Sequence, residues 1–124
     1  MGKITGYKDL IVWQKAIELV TEIFLLTDPF PRSELYGIVS QMRKAVISIP
    51  SNIAEGYGRK SPKEFSQGLS VSYGSALEIE TQIIVSKKLK LAPLNSFERS
   101  DSLLLEVIKM LHTILYRKRR NEET

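Results

Sequence analysis

The feature that most constrains this chain is its division into four amphipathic segments joined by short connections. Apolar side chains recur every three or four residues, which predicts helices at about residues 8–26, 33–56, 61–89 and 96–118. Connections of about five to seven residues cannot carry a chain back along a long helix, so consecutive helices must be antiparallel neighbours. The sequence therefore predicts an all-α fold, an up-down-up-down four-helix bundle, as a single domain over residues 1–124.

The predicted second helix carries a proline, Pro50, in its interior. Proline removes a backbone donor and clashes with the preceding turn, at about 3 kcal/mol in an ordinary helix, so we expect a kink there. One side of this helix is polar: Lys44, Ser48, Ser51, Asn52, Glu55 and Arg59. The opposite side is apolar and is expected to face the core: Leu35, Val39, Met42, Val46, Ile49 and Ile53.

The predicted third helix begins with Ser61-Pro62-Lys63-Glu64, the pattern of a capped helix start. Small residues at Gly68, Ser72 and Ser75 indicate that something packs closely against it. Its acids Glu78 and Glu80 lie on different sides, and a half-buried glutamate would need a cation. Arg43 and Lys44 are candidate partners, within one chain or across a subunit interface. Apolar residues outside the main stripes predict a second buried surface and hence self-association.

Positive charge gathers in particular parts of the sequence. The chain has 18 Lys and Arg against 14 Asp and Glu, a net charge of +4. The predicted topology brings nine basic residues to one end: Lys3, Lys8, Arg59, Lys60, Lys63, Arg117, Lys118, Arg119 and Arg120. They could complement a helix C-terminus and keep the tail solvated, or they could contact nucleic-acid phosphates. Lys60 and Lys63 favour the second alternative, because they lie at the positive end of a helix, where an anion would be stabilised.

Catalytic patterns are absent from the sequence. Without cysteine there is no disulfide, thiolate metal site or cysteine nucleophile, and the composition fits a reducing cytoplasm. His112 is the single histidine and is expected to be structural or solvent-facing, so neither a histidine triad nor a metal centre has support. We expect no cofactor, no metal and no enzymatic activity. No apolar stretch approaches the length of a membrane span, so the protein is expected to be soluble and cytoplasmic.

Three segments, DLIVWQKAIEL, QMRKAVISIPSNIAEGYGR and SYGSALEIETQI, resemble the four-helix-bundle family of 23S rRNA intervening-sequence proteins. The resemblance implies a ring-like homo-oligomer, a pentamer, and no enzymatic activity. A related branch contains the accessory variability protein of diversity-generating retroelements, which binds nucleic acid and a reverse transcriptase. The resemblance therefore also implies contact with RNA or DNA.

Several residues of the chain match characteristic positions of that family. They are the polar residues Asn52, Glu55, Arg59, Ser75, Glu78 and Glu80 and the basic pair Arg43 and Lys44. Ser72-Tyr73 departs from the family pattern, in which a smaller residue precedes the pair that corresponds to Gly74-Ser75. Two functions stay open. The first is a scaffold that contacts RNA or DNA phosphates through basic residues. The second is an adaptor that offers a platform to a protein partner such as a polymerase or reverse transcriptase, without direct nucleic-acid binding.

Overall fold

The computed structural model describes the backbone of residues 2–123 and the side chains of residues 2–117. Within this range the protein is all-α and has no β-strand. Its four α-helices are α1 (Ile11–Thr27), α2 (Ser40–Gly58), α3 (Pro62–Lys88) and α4 (Glu98–Glu123). Short 3-10 turns at Tyr7–Asp9, Arg32–Glu34 and Leu94–Phe97 precede three of them. The prediction of an all-α chain with four helices is confirmed.

Helix α3 starts where the sequence predicts. Ser61 is the N-cap residue, and its side chain accepts a hydrogen bond from the backbone N–H of Glu64 at 3.4 Å. Pro62 occupies the first helical position, where its missing N–H costs nothing. The preceding turn closes with Lys60 in the left-handed backbone region, at φ 58°. Only residues 59–61 separate the end of α2 from the start of α3.

Helix α2 starts later than predicted. Residues 35–39 form a π-turn, and Gly37 has non-helical backbone angles, φ −110° and ψ −113°. Regular α-helix begins only at Ser40, so the apolar periodicity does not extend to Leu35, which is 41% exposed. The prediction that Leu35 faces the core is wrong for this reason. Helix α2 continues through Pro50, whose side chain is buried, and the kink predicted there remains a prediction.

The core is built from the apolar stripes of all four helices. Its fully buried members include Leu19, Ile23, Met42, Val46, Ile49, Ile53, Leu69, Ile79, Val107 and Leu111. Phe97, just before α4, is also fully buried and lies 6.3 Å from the ring of Phe30, measured between centroids. The connections α1–α2 and α3–α4 therefore meet at one end of the molecule.

Each helix packs against two others: α1 contacts α2 and α4, and α3 contacts α2 and α4. Along the α2–α3 contact, Met42 meets Ser86 at one end and Gly56 meets Gly68 at the other, so these two helices run in opposite directions. Along the α1–α4 contact, Lys15 pairs with Glu106, and Glu22 pairs with Arg99. In the described part of the chain, no helix is both long and apolar enough to cross a membrane.

Candidate functional site

Helices α2 and α3 approach each other closely at two glycines, Gly56 and Gly68. A Cβ atom added to Gly68 would lie 2.5 Å from the backbone oxygen of Asn52 and 3.1 Å from the Cα of Gly56. A Cβ on Gly56 would lie 3.0 Å from the backbone oxygen of Glu64. The close packing predicted for the small residues of α3 is therefore present, and its partner is α2 of the same chain.

Hydrogen bonds continue this contact along the two helices. The hydroxyls of Ser48 and Ser75 are 2.9 Å apart, and Asn52 Nδ2 donates to the backbone oxygen of Ser48 at 2.8 Å. The buried Ser72 hydroxyl donates to the backbone oxygen of Ile49 at 2.8 Å. These carbonyls belong to Ser48 and Ile49, the two residues before Pro50. The polar residues of the second helix thus serve, in part, to bind backbone and side-chain groups around the proline.

A polar groove of about 380 Å³ opens above the glycine contact, lined by Asn52, Glu55, Gly56, Arg59, Glu64, Gln67, Gly68 and Val71. Arg59 lies between two carboxylates: its guanidinium is 3.3 Å from Glu55 and 4.0 Å from Glu64. All three side chains are about half exposed, so each pair is worth little in stability. The two acids nevertheless offset the charge of Arg59, which weakens it as a phosphate contact.

Arg43 lies on the opposite flank of α2 and is turned towards α1. Its Nε donates to Thr27 Oγ1 at 3.0 Å, a second nitrogen reaches the backbone oxygen of Phe24 at 3.4 Å, and the guanidinium lies 4.7 Å from the centroid of the Phe24 ring. A further contact to Asp28 is 4.0 Å long. Arg43 is therefore a structural link between α1 and α2, and it does not pair with Glu78 or Glu80 within the chain.

The two acids of α3 have different neighbours. Glu78 is exposed and accepts a hydrogen bond from Gln82 Nε2 at 3.4 Å. The other side-chain atom of that amide, Gln82 Oε1, is buried without a partner among the described residues. Glu80 is exposed and lines a groove of about 270 Å³ between α3 and α4. Neither acid forms an ion pair with a described cation, and the exposed Lys44 forms none with a described acid.

Three of the remaining predicted cations have no acidic partner among the described residues. Lys60, Lys63 and Arg117 are exposed, and none forms an ion pair with an acid in the described part of the chain; we call these three residues the basic end. Lys60 and Thr5 line one open cavity of about 480 Å³, which brings the N-terminal segment beside the α2–α3 turn. Leu10 and Ile114 line another of about 390 Å³, which brings the end of α4 beside the start of α1. The side chains of Lys118, Arg119 and Arg120 lie outside the described residues.

A comparison with protein-family models finds one that matches residues 8–113, described as the 23S rRNA-intervening sequence protein. The match extends over most of the chain. The protein belongs to the 23S rRNA-intervening sequence protein family. No curated protein matches it. The resemblance predicted from the three segments is confirmed for this family, and the relation to the retroelement protein remains a prediction.

The polar residues that the resemblance singles out lie mostly along one contact, that between α2 and α3. The Ser75 hydroxyl is hydrogen-bonded to Ser48 across α2 and α3, Asn52 donates to the same Ser48 hydroxyl within α2, and Glu55 and Arg59 pair nearby. The described residues contain no group of three or more His, Asp or Glu side chains that could hold a metal ion. The surface carries exposed positive charge at Lys60, Lys63 and Arg117, and such charge attracts anions.

One aromatic cluster was not predicted from the sequence. The rings of His112 and Tyr116 are parallel within 5°, with centroids 6.2 Å apart, and Tyr73 lies 6.1 Å from His112. His112 and Tyr116 are exposed, in agreement with a solvent-facing His112. The spacing of the two residues, one helical turn apart on α4, was the available signal.

Proposed function

We propose that this chain is a non-enzymatic scaffold that binds RNA or DNA through phosphate contacts. The observation that supports it is the set of exposed cations at the basic end, which have no acidic partner among the described residues. Cations without a protein partner remain available to neutralise phosphates and release counterions. The adjacent run Lys118, Arg119 and Arg120 would extend the same charge along the chain.

The proposal includes an up-down-up-down four-helix bundle. Three observations support it: the opposite directions of α2 and α3, the meeting of Phe30 with Phe97 at one end, and the cavity shared by Thr5 and Lys60 at the other. In such a bundle both chain ends and the α2–α3 turn lie together. Positive charges that are far apart in sequence then form a single surface.

The members of the predicted site contribute unequally to this surface. Arg43 is engaged by α1, and Arg59 is paired with Glu55 and Glu64. Lys44 is exposed on α2, away from the basic end. We therefore assign the phosphate contacts chiefly to Lys60, Lys63, Arg117 and the three basic residues that follow it.

A salt series with a matched charge control tests this assignment. The variant Lys60→Ser, Lys63→Ser, Arg117→Ser removes three charges at the basic end, and the control Arg32→Ser, Lys88→Ser, Lys90→Ser removes three exposed charges near the other end. Fluorescence anisotropy with a structured RNA and a DNA duplex gives log Kd against log salt. We expect the first variant to bind all sequences more weakly and to flatten the slope by about 2 to 3 units, since each duplex phosphate contact contributes about 0.9.

The control variant should retain most of the wild-type slope. Equal losses in both variants would show that net charge alone matters and would remove the site from the basic end. Absence of binding by the wild-type protein at low salt would overturn the function itself.

We also propose that the protein is a homo-oligomer, with the pentamer as the form that the resemblance implies. Exposed apolar side chains support an interaction surface: Leu77 is 38% exposed, Ile84 51% and Leu105 51%. Ile84 and Leu105 line the same groove between α3 and α4. The same surface favours the second candidate function, an adaptor that presents a platform to another protein.

Multi-angle light scattering of the wild-type protein and of Leu105→Glu tests the assembly. A charge placed in a buried interface is strongly unfavourable, so we expect the mass to fall in the variant. A monomer mass for the wild-type protein over a wide concentration range would contradict the oligomer. An oligomer that binds no nucleic acid would favour the adaptor.

A further inference from the structure

The aromatic cluster on α4 lies beside exposed positive charge. His112 and Tyr116 are one turn apart, Lys109 lies one turn before His112, and Arg117 follows Tyr116 directly. All four side chains are exposed, and Tyr116 exposes 56% of its surface. Histidine and tyrosine are often partly exposed in folded proteins, so the feature that points to a ligand is the parallel pair of rings bordered by cations.

Aromatic rings bordered by cations are the elements that bind single-stranded nucleic acid. Bases stack on the faces of exposed rings, and neighbouring lysine or arginine side chains follow the phosphates. The parallel planes of His112 and Tyr116, within 5° of each other, present two surfaces in one orientation. Tyr73, from α3, lies 6.1 Å from His112 between ring centroids and is half-buried, so it holds the imidazole from the side of the core.

We propose that His112 and Tyr116 form a stacking platform for the bases of single-stranded RNA or DNA, with Lys109 and Arg117 contacting the adjacent phosphates. This inference rests on the proposed function and extends it. It assigns a ligand class, an unpaired strand, that phosphate contacts alone would not select. In a duplex the bases are already stacked, so the platform would contribute nothing to duplex binding.

An abasic strand separates base stacking from phosphate binding. An oligonucleotide of deoxythymidine and an abasic strand of equal length carry the same phosphates, and only the first has bases. We expect the wild-type protein to bind the first strand about tenfold more tightly, in line with the loss typical of one removed stacking residue. The double variant His112→Ala, Tyr116→Ala should lose this preference while its affinity for the abasic strand is unchanged.

Tyr36→Ala is the matched control, because Tyr36 is 93% exposed and lies just before α2, far from the end of α4. The Tyr36→Ala variant should keep the full preference for the deoxythymidine strand over the abasic strand. Tyr116→Phe and His112→Phe retain a planar ring at each position and should keep it too, which shows that the effect of alanine does not come from unfolding of α4.

The outcomes distinguish this inference from the function on which it rests. Equal affinity of the wild-type protein for both strands would overturn the platform and leave phosphate binding intact. Loss of the preference in the phenylalanine variants would also overturn it. Binding of neither strand at low salt would overturn the proposed function and the platform together.

Discussion

Gly56 and Gly68 bring the backbones of α2 and α3 into direct contact, so that the Cα of one glycine lies 3.2 Å from the position a Cβ would take on the other. Helices with larger side chains at the contact are held 8–10 Å apart between their axes. The glycines therefore allow the hydroxyls of Ser48 and Ser75, further along the same contact, to reach each other. Because Gly56 and Gly68 have no side chains, α2 and α3 come close enough for the hydrogen bond between Ser48 and Ser75.

Replacement of Gly68 by alanine should destabilise the protein. The new methyl would lie 2.5 Å from the backbone oxygen of Asn52, which cannot rotate away, so one helix must shift. Overpacking of this kind costs about 1–3 kcal/mol, and it outweighs the gain of about 1 kcal/mol from the better helix former. We expect the free energy of unfolding, measured by urea denaturation at fixed protein concentration, to fall by up to about 2 kcal/mol.

Gly74→Ala is the matched control for that prediction. Gly74 is also inside α3, and nothing lies within 4 Å of its Cβ position. This variant should be about 0.5–1 kcal/mol more stable than the wild-type protein. If the two variants were equally stable, the close approach of α2 and α3 would not exist in solution.

Loss of the Ser72 hydroxyl should also be measurable. The buried Oγ donates to the backbone oxygen of Ile49 at 2.8 Å, and a buried hydrogen bond of this kind contributes about 1 kcal/mol. We expect Ser72→Ala to lower the free energy of unfolding by about that amount. Ser70→Ala, on the exposed side of the same helix, should change it by less than about 0.5 kcal/mol. Equal effects of the two substitutions would contradict a role for this hydrogen bond.

Substitution of Arg43 tests whether this residue stabilises the fold or binds nucleic acid. A lysine keeps the charge but cannot reproduce the two hydrogen bonds to Thr27 and Phe24, so we expect a loss of about 1–2 kcal/mol in stability. The salt dependence of nucleic-acid binding should not change. The reverse exchange at the exposed neighbour, Lys44→Arg, should leave stability within about 0.5 kcal/mol. Arg43→Ser also removes the charge, and a flattened salt slope in that variant would instead return Arg43 to the phosphate-binding surface.

The N-terminal segment should respond to acid through Asp9. Hydrogen bonds from the backbone N–H and the hydroxyl of Thr5, both 2.9 Å long, and from the backbone N–H of Gly6 hold the pKa of this carboxyl below its usual value. A lowered pKa means that these contacts are complete above the ordinary aspartate range and are lost as the pH falls through the lowered value.

We therefore expect the Thr5 and Gly6 amides to be protected in NMR solvent-saturation-transfer measurements near neutral pH. In acid, where amide exchange is slow for every residue, loss of the contacts should instead appear as a change in the chemical shifts of both amides that follows the titration of Asp9. Asp9→Ala should remove the protection near neutral pH, whereas Asp28→Ala, in the α1–α2 connection, should leave it intact. A pKa of Asp9 at or above the usual aspartate value would disprove the contact.

The sequence predicted helix types and starts better than it predicted side-chain partners. The start of α3 follows from Ser61 and Pro62, because a cap depends on neighbours in sequence. The start of α2 was misplaced because an isolated glycine such as Gly37 is compatible with a helix, and only the packing around it shows that the helix is broken there.

Partners of the candidate site residues depend on distant parts of the chain. Arg43 and Lys44 are adjacent and chemically similar, yet one faces α1 and the other faces solvent. Periodicity places both beside the apolar stripe and cannot say which flank a neighbouring helix covers. The grouping of Lys60 with Arg117 remains a prediction, and it rests on the order and direction of the helices rather than on any single contact.

The contact between α2 and α3 also bears on how the chain folds. Its hydrogen bonds join residues 23 and 27 positions apart, whereas the Arg99–Glu22 pair joins residues 77 apart. Closing the longer loop costs about 1 kcal/mol more in chain entropy, so the α2–α3 contact is expected to form before α1 and α4 pack against each other. Stopped-flow kinetics should then show that Ser72→Ala slows folding, while Leu111→Ala in α4 mainly accelerates unfolding.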